Sequence, residues 1–214
     1  MTATGAAQTV TVVEVFADVS CPFTHVGLRR LVEQRDRLGR DDVVLWVRAW
    51  PLELVNGAPL VGDFVGDEID ALRSVVAPDL FKGFDPTSFP GTTILALTLE
   101  TSAQRRDNHN GEAVSLALRT ALFEEGRDIS DPGELAAIAR AHGLDAPTLD
   151  DERLVRDDWH EGERRGVLGS PYFFVGDQGF FCPTLNIAHV DGQLKVTVDL
   201  DAFNAFIGTV FEPH

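Results

Sequence analysis

The chain has 214 residues, of which 44% are hydrophobic, and carries a net charge of −16 at pH 7. This length suffices for one large core, or for a core domain with a sizeable insertion. A chain this acidic repels phosphate backbones and anionic lipid headgroups, which excludes nucleic acids and membrane surfaces as main partners. Residues 1–8 show no secretory signal, and no apolar run is long enough to span a bilayer. We therefore expect a cytoplasmic protein whose two cysteines do not form a disulfide framework.

The first part of the chain predicts a strand, a helix and a second strand. Residues 10–16 (VTVVEVF) are apolar at nearly every position, which indicates a strand buried on both faces. Asp18 or Ser20 can then cap a helix that begins with Pro22. Residues 43–50 (VVLWVRAW) predict the second strand. Two strands joined by a helix imply a parallel pair.

Residues 60–165 have a different character, because apolar residues recur there at helical spacing. The first such stripe consists of Val65, Ile69, Leu72 and Val76. Strand patterns return after this block, followed by one more helix. The predicted strands are residues 172–175, 180–182, 185–190 and 194–198, with a hairpin turn at Asp191-Gly192.

This order of elements predicts an α/β protein. Residues 10–58 and 166–214 are expected to form one domain around a single mixed sheet. Residues 60–165 are expected to be a large helical insertion into that domain.

Cys21 lies where the first strand gives way to the first helix. A helix N-terminus carries partial positive charge and free N–H groups, which favour the thiolate over the thiol. Thr24 lies three residues on, so its hydroxyl can come within hydrogen-bond reach of the sulfur. We expect a reactive thiol with a lowered pKa; the alternative is a buried cysteine without chemistry.

A second feature is Ser170-Pro171, where a proline begins a strand after a glycine-rich loop. Together, residues 16–27 (FADVSCPFTHVG), the helical block and residues 166–175 (GVLGSPYFFV) resemble the DsbA-like thioredoxin family, over about residues 10 to 182. That family includes disulfide oxidoreductases, kappa-class glutathione transferases and 2-hydroxychromene-2-carboxylate isomerases. The resemblance implies a thioredoxin-like fold with a lid-like helical insertion. It also implies that Cys21 is the attacking cysteine and that Pro171 is a cis-proline beside it.

The chain departs from the family's Cys-x-x-Cys motif, because Thr24 stands at the fourth position. A mixed disulfide at Cys21 therefore has no resolving thiol within the motif, and we expect an external thiol to release it. The isomerase and transferase branch usually has serine at the first position, so Cys21 does not match that branch either.

Cys182 is the second thiol. Pairing across the turn at residues 176–179 is predicted to place it opposite Phe173, within about two residues of Pro171. It is either a core cysteine in an aromatic run or a resolving thiol at an unusual position.

We predict Cys21, Thr24 and Pro171 as catalytic residues. The residues predicted to bind substrate adjoin them: Pro22, Phe23, His25, Ser170 and Cys182. His25 either tunes Cys21, faces a substrate, or is a partly exposed helix residue. The other histidines considered lack partners at ligand spacing: His109, His160 and His189. We predict no metal and no nucleotide.

Three functions fit this sequence. In the first, the protein is a thiol-disulfide oxidoreductase whose Cys21 forms mixed disulfides with a protein or with a low-molecular-weight thiol such as glutathione or mycothiol. In the second, it is an isomerase or transferase that binds such a thiol as a non-covalent cofactor and activates it for addition to an organic substrate. In the third, it is a non-catalytic binding module. The oligomeric state is open, and a homodimer is compatible with the sequence.

Overall fold

The computed structural model describes residues 10–183, 185–190 and 193–212. Its first elements are the strand β1 (Thr11–Ala17), the helix α1 (Pro22–Leu38) and the strand β2 (Val43–Ala49). β1 and β2 pair in parallel along their whole length, as their helical connection requires. The predicted βαβ unit is confirmed, and the end of β1 leads through a short loop into α1.

The start of α1 is organised by this loop and not by a side-chain cap. Cys21 occupies the N-cap position, and its side chain makes no capping hydrogen bond. The prediction that Asp18 or Ser20 caps the helix is wrong, because the two residues bond to each other. One Asp18 carboxylate oxygen accepts hydrogen bonds from the Ser20 N–H and from its hydroxyl, both at 2.8 Å. This closes an Asx-type turn that presents Cys21 at the first turn of the helix.

Helices fill the chain between β2 and the next strand. Their bounds are α2 (Leu52–Val55), α3 (Gly62–Val75), α4 (Ile94–Arg106), α5 (Asn108–Phe123), α6 (Pro132–Ala141) and α7 (Glu152–Arg164), with short 3-10 turns at Pro86–Ser88 and Leu149–Asp151. α4 and α5 pack on each other and on β2. The helical nature of this stretch is confirmed. Its separation into a domain of its own stays a prediction, since one buried cluster runs from these helices into the start of α1.

The central sheet gains two strands after the helical block, β3 (Tyr172–Val175) and β4 (Gln178–Phe181). Its order is β2-β1-β3-β4, with β3 antiparallel to both of its neighbours. The sheet is therefore mixed, and the prediction that the first strand shares a sheet with residues 172–175 is confirmed.

The last two strands do not join this sheet. β5 (Leu185–Val190) and β6 (Gln193–Val198) pair only with each other in the described structure, so the expectation of one mixed sheet for all strands is wrong. The chain leaves the central sheet at Cys182, whose φ of 40° is left-handed. Pro183 follows and has no N–H to continue the ladder. The predicted turn at Asp191-Gly192 lies outside the described residues, as do residues 1–8.

A final helix, α8 (Leu200–Phe211), covers the strands from one side. Its Phe206 ring lies 5.0 Å from the Phe173 ring and 5.2 Å from the Phe180 ring, centroid to centroid. The predicted last helix is confirmed. It closes the core over the sheet face that carries Phe173.

Candidate active site

The structure brings Cys21 and the Ser170-Pro171 peptide together, although 149 residues separate Cys21 from Ser170. The Cys21 thiol donates a hydrogen bond to the Ser170 carbonyl oxygen, with 3.2 Å between sulfur and oxygen. The Ser170-Pro171 bond is cis, which confirms the expectation drawn from the family resemblance. Cys21 itself is 3% exposed, so its sulfur meets solvent only through a narrow opening.

Two hydroxyl groups complete the surroundings of this thiol. The Thr24 and Ser170 hydroxyls share a hydrogen bond at 2.9 Å, and the Ser170 oxygen also accepts from the Asp18 N–H at 3.0 Å. Ser170 thus joins the end of β1 and the first turn of α1 to the strand that starts with β3. Both hydroxyls stabilise negative charge on the Cys21 sulfur and lower its pKa.

The protonation state of Cys21 differs from the one expected from its sequence position. Burial raises the pKa of the Cys21 thiol and outweighs the hydrogen bonds from Thr24 and Ser170, which lower it. The expectation of a lowered pKa is therefore wrong, because the desolvation cost exceeds the help of the helix N-terminus. The Ser170 carbonyl agrees with this result, since an acceptor oxygen favours a sulfur that carries a proton.

Cys182 lies on the other side of the same peptide. Its N–H donates to the Pro171 carbonyl oxygen at 3.1 Å, so Cys182 stands opposite Pro171. The prediction that it stands opposite Phe173 is wrong: the turn is two residues shorter than expected, and Phe180 takes that place. Both cysteines are free. Burial, with a smaller effect from the charge of Cys21, raises the pKa of Cys182 to about 12.

His25 is not the partly exposed residue considered above, because its ring is fully buried. Its Nε2 is 2.7 Å from a Glu124 carboxylate oxygen, and its ring packs against Phe81 and Phe123, with centroids 5.2 and 5.0 Å away. Burial lowers the pKa of His25. Its position ties α1 to α5, and its substrate-binding role stays a prediction.

The remaining predicted residues are largely interior. Pro22 and Phe23 are buried at the start of α1, and Phe23 belongs to the core cluster that also contains Cys21. They shape the thiol's surroundings by packing, and their contact with a substrate stays a prediction.

The buried Asp18 side chain supports the site in a way that sequence reasoning missed. Its second carboxylate oxygen accepts from the Leu52 N–H at 2.7 Å and from the Thr93 hydroxyl at 3.2 Å. The Asp18 carbonyl accepts from Arg119 at 3.2 Å. Arg119 in turn forms a fully buried ion pair with Glu100, at 2.5 Å. The loop before Cys21 is therefore fixed to three helices by buried polar groups.

A second residue that sequence reasoning missed is Glu68 on α3. Its charge acts on the Cys21 sulfur and raises the thiol pKa. Burial raises the pKa of Glu68 itself to about 7. The signal was present in the sequence, since Glu68 occupies position i+3 in the apolar stripe that begins with Val65.

Two searches of the described residues bear on other functions. They contain no group of three or more His, Cys, Asp or Glu side chains placed to hold a metal ion. No helix among them combines the length and the apolar character that crossing a membrane requires.

This combination of features defines a class of protein. A mixed sheet, a helix that begins at a cysteine, and a cis-proline whose preceding carbonyl contacts that cysteine are the marks of a thioredoxin-fold thiol protein. The family model of the DSBA-like thioredoxin domain matches residues 12–195. The chain belongs to that family.

Solved structures agree with this fold. The chain is similar to the cytosolic disulfide reductase DsbM from Pseudomonas aeruginosa, with 16% identity and a TM-score of 0.58 over 92% of this chain and 97% of that one. It is also similar to a 2-hydroxychromene-2-carboxylate isomerase, with 15% identity and a TM-score of 0.56 over 79% of this chain and 88% of that one. No curated protein matches the chain. At these identities the likeness concerns the fold.

Proposed function

We propose that the protein is a thiol-disulfide oxidoreductase that works through the single thiol of Cys21. The observation that carries the proposal is the contact of Cys21 with the Ser170 carbonyl beside Pro171, together with Thr24 at the position of a second cysteine. A thiol placed there can attack a disulfide that lies along the Ser170-Pro171 peptide. A hydroxyl at the fourth position can stabilise the thiolate but cannot form a second disulfide.

The reaction consists of two thiol-disulfide exchanges. In the first, the Cys21 sulfur loses its proton and attacks a mixed disulfide between a protein and a small thiol. The protein thiol leaves and takes up a proton, and the small thiol stays bonded to Cys21. In the second, another molecule of the small thiol attacks this adduct, which restores Cys21 and releases the oxidised small thiol as its symmetrical disulfide. The two electrons come from the two small thiols.

The Ser170 carbonyl has two uses in this scheme. At rest it accepts the hydrogen bond of the Cys21 thiol at 3.2 Å. Once that proton has gone, the carbonyl lacks a donor and can accept an N–H of the incoming small thiol instead. The change of partner couples loss of the Cys21 proton to binding of an amide-containing thiol.

Release by an external thiol follows from the surroundings of Cys182. Its pKa is raised to about 12, and its sulfur makes no hydrogen bond within the described residues. Such a thiol has little thiolate with which to attack an adduct at Cys21. A low-molecular-weight thiol, glutathione or mycothiol, is the external partner we infer, and a reducing cytoplasm is the compartment that supplies it. The excess of negative charge keeps nucleic acids and anionic membranes out of the scheme.

One observation favours a second function, that of a thiol-dependent isomerase or transferase. A buried Cys21 that keeps its proton is a hydrogen-bond donor, as a serine hydroxyl would be at this position. In that case Cys21 and Thr24 hold the thiol of a bound cofactor and never react themselves.

Replacement of Cys21 separates these functions. The test uses wild type, Cys21→Ser and Cys182→Ala, a peptide-glutathione mixed disulfide and a conjugation assay with glutathione and an aromatic electrophile, each repeated with mycothiol. We expect turnover of the mixed disulfide by wild type and by Cys182→Ala, and none by Cys21→Ser. Conjugation that survives in Cys21→Ser would instead support the transferase. Inactivity of all three proteins in every assay would support a binding module.

A further inference from the structure

Glu68 is a carboxylate on the buried face of α3. Val65, Ile69 and Leu72 lie on the same face and are all fully buried. Glu68 itself is half-buried. Acidic groups in such positions are usually paired or hydrogen bonded, but within the described residues no hydrogen bond or ion pair reaches the Glu68 carboxylate.

The same face of α3 packs into the cluster that holds both thiols. Val65, Ile69 and Leu72 belong to one group of buried residues with Cys21 and Cys182. The Glu68 charge acts on the Cys21 sulfur and disfavours the thiolate there. An unpaired carboxylate and a protonated thiol therefore share one buried region, which holds a single negative charge.

Other titratable groups on the elements packed against α3 already have partners. On α1, His25 is bound to Glu124, and Arg30 is bound to Asp79. Beside the 3-10 turn at Pro86–Ser88, Asp85 accepts from Thr87. On β6, Val196 is buried and apolar. Burial alone accounts for the raised pKa of Glu68.

We propose that Glu68 accepts the proton of the Cys21 thiol when a disulfide is attacked and returns it to the thiol that leaves. This inference rests on the oxidoreductase function proposed above. The two groups are not hydrogen bonded to each other in the described structure, so the proton passes through a bridging water molecule. The Cys21 sulfur bonds to one sulfur of the disulfide, the S–S bond breaks, and the leaving thiolate takes the proton back from Glu68.

The benefit of this transfer is electrostatic. A buried site that holds a carboxylate and a thiolate together would carry two negative charges, which burial and repulsion both oppose. Moving the proton from sulfur to carboxylate leaves one negative charge before, during and after the attack. The reactive form is then reached without release of a proton to solvent, although burial raises the pKa of Cys21.

The pH dependence of a single exchange at Cys21 tests this inference. Cys182→Ala is mixed in a stopped-flow instrument with dithiodipyridine, and the released thiopyridone is followed by absorbance. With Glu68 present, the rate should rise up to about pH 7, where the carboxylate ionises, and then form a plateau. With Glu68→Gln added, the proton must go to solvent. The rate should then rise about tenfold per pH unit through the same range, without a plateau.

Matched variants exclude simpler explanations. Asp67→Asn removes an exposed charge from the neighbouring position of α3 and should keep the plateau, and Glu68→Asp should restore it. Profiles of the same shape with and without Glu68→Gln would overturn the inference, and so would loss of the plateau in Glu68→Asp, which would assign the effect to packing of α3. Failure of Cys21 to react at any pH would instead overturn the proposed oxidoreductase function.

Discussion

The two sides of the Ser170-Pro171 peptide each carry a cysteine, yet they are built differently. On the α1 side, the Cys21 thiol meets a carbonyl oxygen and the hydroxyls of Thr24 and Ser170. On the strand side, Cys182 is held through its backbone N–H, and its sulfur has no hydrogen-bond partner in the part of the chain that the structure describes. The two residues are equally buried, at 3% and 4% exposure. Access therefore does not distinguish them; the polar groups around each sulfur do.

The supporting layers differ in the same way. Behind Cys21 lie the Asp18 carboxylate, the Arg119–Glu100 ion pair and the His25–Glu124 hydrogen bond, all of which cross between elements. Behind Cys182 lie aromatic rings and a proline. Buried polar networks fix one geometry because each group has to keep its partners. The comparison therefore assigns the chemistry to the α1 side and a packing role to Cys182.

The largest effect is expected on oxidation. Treatment with diamide and glutathione should place a glutathione adduct on Cys21 and leave Cys182 as a thiol, because Cys182 has no group to assist its ionisation. Peptide mapping by mass spectrometry without reduction measures this. The Cys182→Ala variant should give the same adduct in the same yield. A stoichiometric Cys21–Cys182 bridge would erase the difference between the two sides and restore a two-cysteine cycle.

The next largest effect concerns the ion pair that supports the Cys21 loop. Arg119→Met should lower the free energy of unfolding by about 3 to 5 kcal/mol, because it leaves Glu100 charged and buried without a partner. Urea unfolding followed by circular dichroism measures the loss. Arg156→Met, which breaks an exposed pair with Glu152, is the matched control and should cost at most about 0.5 kcal/mol. Equal losses would show that the network does not support this side.

Acid should weaken the α1 side through Glu124. Burial disfavours its charged form, but hydrogen bonds from His25 and from the Phe81 and Lys82 N–H groups outweigh burial and lower the pKa of Glu124 to about 2. A lowered folded-state pKa stabilises the fold above the ordinary value of 4.5, and this stability is lost as the pH falls toward about 2. We expect Glu124 to contribute about 2 kcal/mol of this acid sensitivity.

The measurement is the urea midpoint at neutral and acidic pH. Glu124→Gln should flatten the decline below about pH 5. Glu125→Gln, at the exposed neighbouring position, should leave the decline as it is in wild type. A decline that Glu124→Gln does not change would place the acid-sensitive carboxylates elsewhere in the protein.

Much of the fold was predictable from local patterns. The βαβ unit, the helical block and the last helix each follow from a run of apolar residues with one period. The separate β5–β6 sheet was not predictable in this way, because strand patterns do not specify a partner. What decides it is the left-handed conformation at Cys182, followed by Pro183. A turn residue in an aromatic run gives no local sign of that conformation.

The site divides along the same line. Cys21, Thr24 and Ser170 could be named from motifs, and the family resemblance supplied the cis bond at Pro171. The protonation state of Cys21 could not be predicted, because it depends on burial by residues far along the chain. Glu68 was visible as an acid within an apolar stripe, but its relation to Cys21 depends on how α3 packs.

The smallest expected effect concerns the Thr24 hydroxyl, which is the finest difference between the two sides. Thr24→Val keeps the side-chain shape and removes one hydrogen bond that stabilises the Cys21 thiolate. If that bond is worth about 1 kcal/mol, the pKa of Cys21 should rise by roughly half a unit to one unit. Because the thiolate is the reactive form, alkylation of Cys21 by iodoacetamide at fixed pH should slow by about three- to tenfold. Thr98→Val removes a buried hydroxyl that donates to the Ile94 carbonyl, away from the site, and should leave the rate unchanged. Alkylation of Cys182 in the Cys21→Ser background should not respond to Thr24→Val. An equal slowing at both sulfurs would mean that the hydroxyl acts on the packing of the whole region and not on the Cys21 thiolate.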